Sequence, residues 1–194
     1  MDNILSLCVI NQEKVATLQV LEMMESFGYK RDESSYRACL QRCYDCGNGE
    51  VAEQVILEME KEQVHINPYD IGMVIGAICK TRKQYWDGQP WERPLEYLKS
   101  KASTSVLTDG KTIPIQAYNI LLELMTEQKE WQESLRLVKT MENSVGDAIH
   151  PTPQLSTYRI AGNCCVKAGP APEVVSLLYS MRDNGVKVNV FLCF

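Results

Sequence analysis

The sequence predicts an all-α solenoid, and three observations carry that expectation. Tyr36, Tyr118 and Tyr158 are each followed 23 positions later by a methionine, Met59, Met141 and Met181. Eight residues beyond such a methionine stands a small polar residue: Asp32 after Met24, Asn67 after Met59, Asn189 after Met181. Between these markers the apolar residues recur on a helical period, and no alternating strand pattern competes with it. Self-similarity at a fixed period is the signature of a repeat array.

Each unit reads as two amphipathic helices. The first helices carry apolar stripes at Tyr36, Cys39, Leu40 and Cys43, and at Tyr118, Leu121, Leu122 and Met125. The second helices repeat the spacing with Ala52, Val55, Ile56 and Met59, and with Val174, Leu177, Leu178 and Met181. Turn formers separate the two, Gly47-Asn48-Gly49 in one unit and Ala168-Gly169-Pro170 in another. Gly28 and Gly185 stand just past second helices, where a left-handed C-terminal cap favours a residue without a side chain. One helix pair cannot bury its stripe alone, so neighbouring pairs must stack into a continuous core.

Five units can be placed in order. The first, residues 1–32, is truncated at its start. The second, residues 33–67, is complete at 35 residues. The third spans residues 68–114. It opens with a first helix over residues 69–80, continues with an irregular insertion over 81–94, and resumes with a helix over 95–102. The fourth spans residues 115–154 and gains a few residues in its closing loop. The fifth, residues 155–189, returns to 35 residues, and residues 190–194 resemble the start of a sixth. Both ends break inside a unit, so the expectation is a piece of a longer array.

Composition narrows the function classes. Of 194 residues, 45% are hydrophobic and 23% charged, as in a folded rather than a disordered chain. The formal net charge of -5 argues against bulk attraction to nucleic acid, so any such contact needs a local basic patch. No apolar run approaches the ~18 residues of a membrane span, and no membrane partner is expected. The opening residues carry no basic stretch of the kind that precedes a secretory signal or fills a transit peptide. Eight cysteines without a secretion signal read as free thiols in a reducing, intracellular setting. No cofactor and no small-molecule substrate is implied.

Several residues invite sharper readings that the pattern absorbs. Cys43 and Cys46, with Cys39 and His65 nearby, suggest zinc, but no second Cys-x-x-Cys pair completes a site. Cys39 and Cys43 fall on the apolar stripe, and they and Cys164-Cys165 are expected in the core. His65 and His150 are expected as solvated loop residues. Tyr85, Trp86 and Trp91 are expected to form a small satellite core under the insertion. Glu58, Glu60, Lys61 and Glu62 read as a solvated helix face.

The stretches Ser35-Tyr36-Arg37-Ala38-Cys39-Leu40 and Ala117-Tyr118-Asn119-Ile120-Leu121-Leu122 resemble the pentatricopeptide-repeat family. So do the closing runs Met59-Glu60-Lys61-Glu62-Gln63-Val64 and Met181-Arg182-Asp183-Asn184-Gly185-Val186-Lys187, and the first-helix ending Ile78-Cys79-Lys80. The likeness covers nearly the whole chain. It implies a right-handed superhelix of antiparallel helix pairs that binds single-stranded RNA, one base per repeat.

By that resemblance the base readers are the residue after the tyrosine and the last residue of each unit. The first set is Arg37, Gly72, Asn119 and Arg159, with Ile71 replacing the tyrosine before Gly72. The second is Asp32, Asn67 and Asn189, with Thr152 or Gln154 closing the fourth unit. Ser34, Tyr69, Gln116 and Ser156, two before the tyrosine position, would pack against the base. Phosphate contacts would come from Lys80 and Lys167 near the ends of first helices, where the other units place Asp45 and Glu127. The resemblance further implies a mitochondrial or plastid setting and a part in RNA processing, stability or translation. A protein-interaction scaffold using the same surface is the alternative favoured by the acidic balance. The chain is repeat throughout, with neither the clustered carboxylates of a metal nuclease nor a zinc-deaminase signature, so it is not expected to be an enzyme.

Overall fold

The computed structural model describes residues 19, 23, 26–28, 31–81, 88–103, 112–143 and 150–187. These form eight α-helices, with no strand among the described residues. The chain divides into two compact units, Met1–Asp109 and Gly110–Phe194. Within each, the helices come in pairs that pack on their neighbours, as a helical repeat requires.

The first compact unit holds α1 (Glu33–Cys46), α2 (Gly49–Lys61), α3 (Pro68–Lys80) and α4 (Glu92–Ser103). Helices α1 and α3 pack side by side, and α2 lies against both. The predicted stripes make the core: Tyr36, Cys39, Leu40 and Cys43 of α1 and Ala52, Val55, Ile56 and Met59 of α2 are all buried. The apolar run of α3 is buried on nearly every side, from Ile71 through Ile78, because it sits between α1, α2 and α4.

The Gly47-Asn48-Gly49 turn owes its glycines to two different needs. Gly47 is left-handed at φ 65° and caps α1 through its N–H. Gly49 is held by proximity, since a Cβ there would lie 2.7 Å from the Ile78 Cα. Thr81 stitches this contact, accepting from the Gly49 N–H at 3.0 Å and donating towards the Gly47 and Ala77 carbonyls. Past α2, Gln63 takes φ 54° in the register that Gly28 and Gly185 occupy at φ 77° and 74°, so the predicted left-handed caps form even without glycine.

Helix α4 corrects the expected start at Leu95. It begins at Glu92, inside the stretch read as an irregular insertion. Pro94 falls in the first turn, where its missing N–H has no helical partner to lose. The Glu92 carboxylate accepts from the Gln89 N–H at 3.2 Å. Arg93 forks onto Glu53 and Lys101 reaches Glu60 at 2.6 Å, tying α4 to α2. Trp91 is partly buried; Tyr85 and Trp86 lie outside the described residues.

The second compact unit repeats the arrangement with α5 (Ile115–Gln128), α6 (Trp131–Asn143), α7 (Leu155–Ala168) and α8 (Ala171–Asp183). Here α5 packs on α7, and α6 on both. Tyr118, Leu121, Leu122 and Met125 are fully buried, as are Ala161, Cys164 and Cys165 of α7. In α8 only Leu177 and Met181 of the predicted stripe are buried, while Val174 and Leu178 are half-buried. Burial raises the thiols of Cys39 and Cys43 to about 12 and that of Cys165 to about 11, so these cysteines behave as apolar filler, as expected.

The two histidines part company. His65 is exposed, as expected of a loop residue. His150 is not: it is half-buried, its Nδ1 2.7 Å from the Tyr118 hydroxyl, with the rings edge to face. A fully buried phenol needs a polar partner, and His150, a few residues before α7, supplies it.

Candidate nucleic-acid interface

The predicted readers and packing residues occupy one recurring place, the N-terminal end of each first helix. Every first helix opens with the same frame: a cap residue, a second residue, a third, the tyrosine position, and then the post-tyrosine residue. In α1 these are Asp32, Ser34, Ser35, Tyr36 and Arg37; in α3, Asn67, Tyr69, Asp70, Ile71 and Gly72. In α5 they are Pro114, Gln116, Ala117, Tyr118 and Asn119; in α7, Gln154, Ser156, Thr157, Tyr158 and Arg159. The register therefore assigns the cap position before α7 to Gln154 rather than Thr152. Asn189 lies outside the described residues.

The last-residue set is engaged in capping. Asp32 accepts from the Ser35 N–H at 2.9 Å and from the Ser35 and Ser34 hydroxyls at 2.6 and 2.8 Å. Those hydrogen bonds, the Ser35 hydroxyl foremost, lower its carboxyl to about 2. Asn67 accepts from the Asp70 N–H at 3.0 Å, and Asp70 accepts from the Asn67 N–H at 2.9 Å, a reciprocal capping box.

The third residue of each first helix then links two units. Asp70 is fully buried, and its other oxygen accepts from Arg37 Nε at 3.0 Å across the α1–α3 seam. Arg37 also pairs with Glu33 one turn back. Burial disfavours the guanidinium's charge, but the bond and charge of Asp70, with those of Glu33, outweigh it and its pKa is raised. In the second compact unit Thr157 fills the same role. It accepts from the Gln154 N–H at 3.3 Å and donates to Asn119 Oδ1 at 2.9 Å. Asn119 Nδ2 meanwhile donates to Ser156 Oγ at 3.2 Å. Each relay runs from a cap N–H, through the third side chain, to the post-tyrosine side chain of the preceding unit.

So the fold brings together the two predicted readers of one unit, Arg37 with Asn67 and Asn119 with Gln154, although they lie far apart in the chain. The connecting residues Asp70 and Thr157 were absent from the predicted set. The signal for Asp70 was available: it is the only charge between Pro68 and Cys79, and a charge is rarely buried unless paired.

The two post-tyrosine residues are left in different states. An amide offers two donors and two acceptor sites. Asn119 uses one of each on Ser156 and Thr157, so it is oriented and still holds a donor and an acceptor. Arg37 has donors only, and its one positive charge faces the two carboxylates Asp70 and Glu33. Gly72 brings no side chain. Arg159 is exposed and has no bonded partner among the described residues.

Tyr69 is 57% exposed beside Asn67, and Ser34 and Gln116 are exposed at the same frame position, with Ser156 half-buried. At the other end of the first helices, Lys80 places its Nζ 3.3 Å above the Tyr44 ring and donates to the Tyr44 carbonyl at 3.4 Å. That site favours a cation twice, through the ring face and the carbonyl end of α1. Lys167 is exposed near the end of α7. Each compact unit thus pairs one such lysine with one exposed acid at the same register, Asp45 with Lys80 and Glu127 with Lys167.

Stacked helix pairs, each with polar residues framed at the start of its first helix, define a helical-repeat protein. Residues 156–186, which span nearly all of α7 together with α8, match the family model of the PPR repeat. The chain is accordingly a helical-repeat protein, and over residues 156–186 it is similar to a PPR repeat. No curated protein matches it. Among the described residues, no helix is long and apolar enough to cross a membrane.

Proposed function

We propose that this protein binds single-stranded RNA along the N-terminal ends of its first helices, and that it is a binding module rather than an enzyme. The observation that carries the reading is the state of Asn119, which two hydrogen bonds orient while one donor and one acceptor stay available. That is the equipment needed to discriminate a base edge, at the register where the PPR family reads bases. The exposed ring of Tyr69 suits stacking on an unpaired base. Exposed Arg159 and Lys167 in α7 suit backbone phosphates. The similarity to PPR repeats further favours a mitochondrial or plastid setting and a task in RNA processing, stability or translation.

A protein-binding scaffold is the competing reading, favoured by the net charge of -5 and by the carboxylates around Arg37. Binding to a pool of short random RNAs between about 50 and 200 mM salt separates the two. Affinity that weakens with salt, and that unlabelled single-stranded but not duplex RNA competes away, supports RNA. Absence of binding at the lower salt removes the RNA reading and leaves the scaffold.

A further inference from the structure

Resting on the RNA reading above, we infer that the post-tyrosine residues divide the labour of recognition: Arg37 holds the α1–α3 seam without reading a base, while Asn119 discriminates. Arg37 is then a positioning residue, not a reader.

Three observations lead there. First, Arg37 is committed. Its Nε is bonded to the buried Asp70 and its Nη2 to Glu33, so turning towards a base would strip a fully buried carboxylate of its cation. One hydrogen bond to a base cannot offset the cost of leaving a buried charge unpaired. Second, one guanidinium between two carboxylates leaves a local negative charge, which repels a phosphate instead of gripping it. Third, Asn67 gives its Oδ1 to the Asp70 N–H and so helps to fix the carboxylate that holds Arg37, while its own amide donors stay outside that bond. Beside Asn67 the Tyr69 ring is exposed, and every base has a π-face to lay on it. Stacking of this kind tolerates any sequence.

Asn119 occupies the same frame position with the opposite outcome. Its partner in the next unit is the neutral Thr157 hydroxyl rather than a buried charge. Releasing or sharing that bond leaves no uncompensated ion. The identity of the third residue in the following first helix, Asp70 or Thr157, therefore decides whether the post-tyrosine residue of the preceding unit reads or only holds.

The test is selection of a random single-stranded RNA pool by the full chain, followed by sequencing, with thermal unfolding of every variant. The variants are Arg37→Gln alone, Arg37→Gln with Asp70→Asn, Asn119→Ala and Tyr69→Ala. Arg37→Gln alone is expected to lower Tm, and the second substitution to restore most of the loss by removing the orphaned charge. The double variant should keep the base preferences of the parent. Asn119→Ala should erase preference at one position, a change of roughly fivefold for one hydrogen bond. Tyr69→Ala should weaken binding roughly tenfold without altering preference. A folded double variant with changed base preference overturns the inference, because Arg37 then reads. Equal loss of Tm in the single and double variants overturns the positioning role. Failure of the parent chain to bind any RNA removes the underlying functional reading instead.

Discussion

Tyr158 donates its hydroxyl hydrogen bond to Glu142 Oε1 at 2.8 Å, and Ser180 donates to the same oxygen at 2.6 Å. One carboxylate of α6 thereby holds both helices of the following pair. Removing it leaves a nearly buried phenol without its acceptor. Glu142→Ala is expected to cost about 1–2 kcal/mol, and Tyr158→Phe about 1 kcal/mol. Urea unfolding of both variants and their double should give a combined loss smaller than the sum; strict additivity would mean that the bond does not couple the helices.

Gln63 holds a left-handed backbone at φ 54° in the register where Gly185 stands at φ 74°. The Val64 N–H reaches the Met59 carbonyl at 2.8 Å, just as the Val186 N–H reaches Met181 at 3.1 Å. The geometry is thus demanded by the cap, and a side chain there is strained. Gln63→Gly should stabilise by about 1 kcal/mol and Gly185→Ala should destabilise by a similar amount. Thermal melts of the two variants should shift in opposite directions.

Gly49 has no room for a methyl group, since a Cβ would meet the Ile78 Cα at 2.7 Å and its Cγ1 at 2.8 Å. Backbone cannot yield as a flexible side chain does. Gly49→Ala should therefore lose about 2 kcal/mol by overpacking the α2–α3 seam. An unchanged unfolding midpoint for this variant would refute the close approach.

Asp32 has a folded-state carboxyl at about 2, against an ordinary value of 3.8, because the Ser35 and Ser34 groups bond its ionised form. A depressed carboxylate stabilises fully above its unfolded value and loses that contribution as pH falls through the folded one. The contribution should accordingly be complete above pH 3.8 and fade towards pH 2. Asparagine caps equally well without titrating. Chemical unfolding of the parent and Asp32→Asn across this window should show the parent alone losing the increment.

Much of the helix pairing was legible along the chain, because an amphipathic stripe and a cap are local patterns. The Tyr36 and Tyr118 stripes went to the core as read, and Gly28 and Gly185 took the left-handed cap. The start of α4 was misread because Pro94 looks like a breaker unless the residues before it already form a first turn. His150 was misread because its partner, the Tyr118 hydroxyl, is 32 residues away in the chain and meets it only in the folded unit.

The site divides the same way. A helical period and a repeat length, both written in the chain, set the register of Arg37, Asn67, Tyr69 and Asn119 and so place them at the N-terminal ends of first helices. They could not say which of these are free. Only the stacked helix pairs bring Asp70 against Arg37 across 33 residues and Thr157 against Asn119 across 38. The reason is physical. Side-chain availability is set by what the next helix pair buries beside it, and a buried carboxylate holds its cation where a hydroxyl leaves an amide half free.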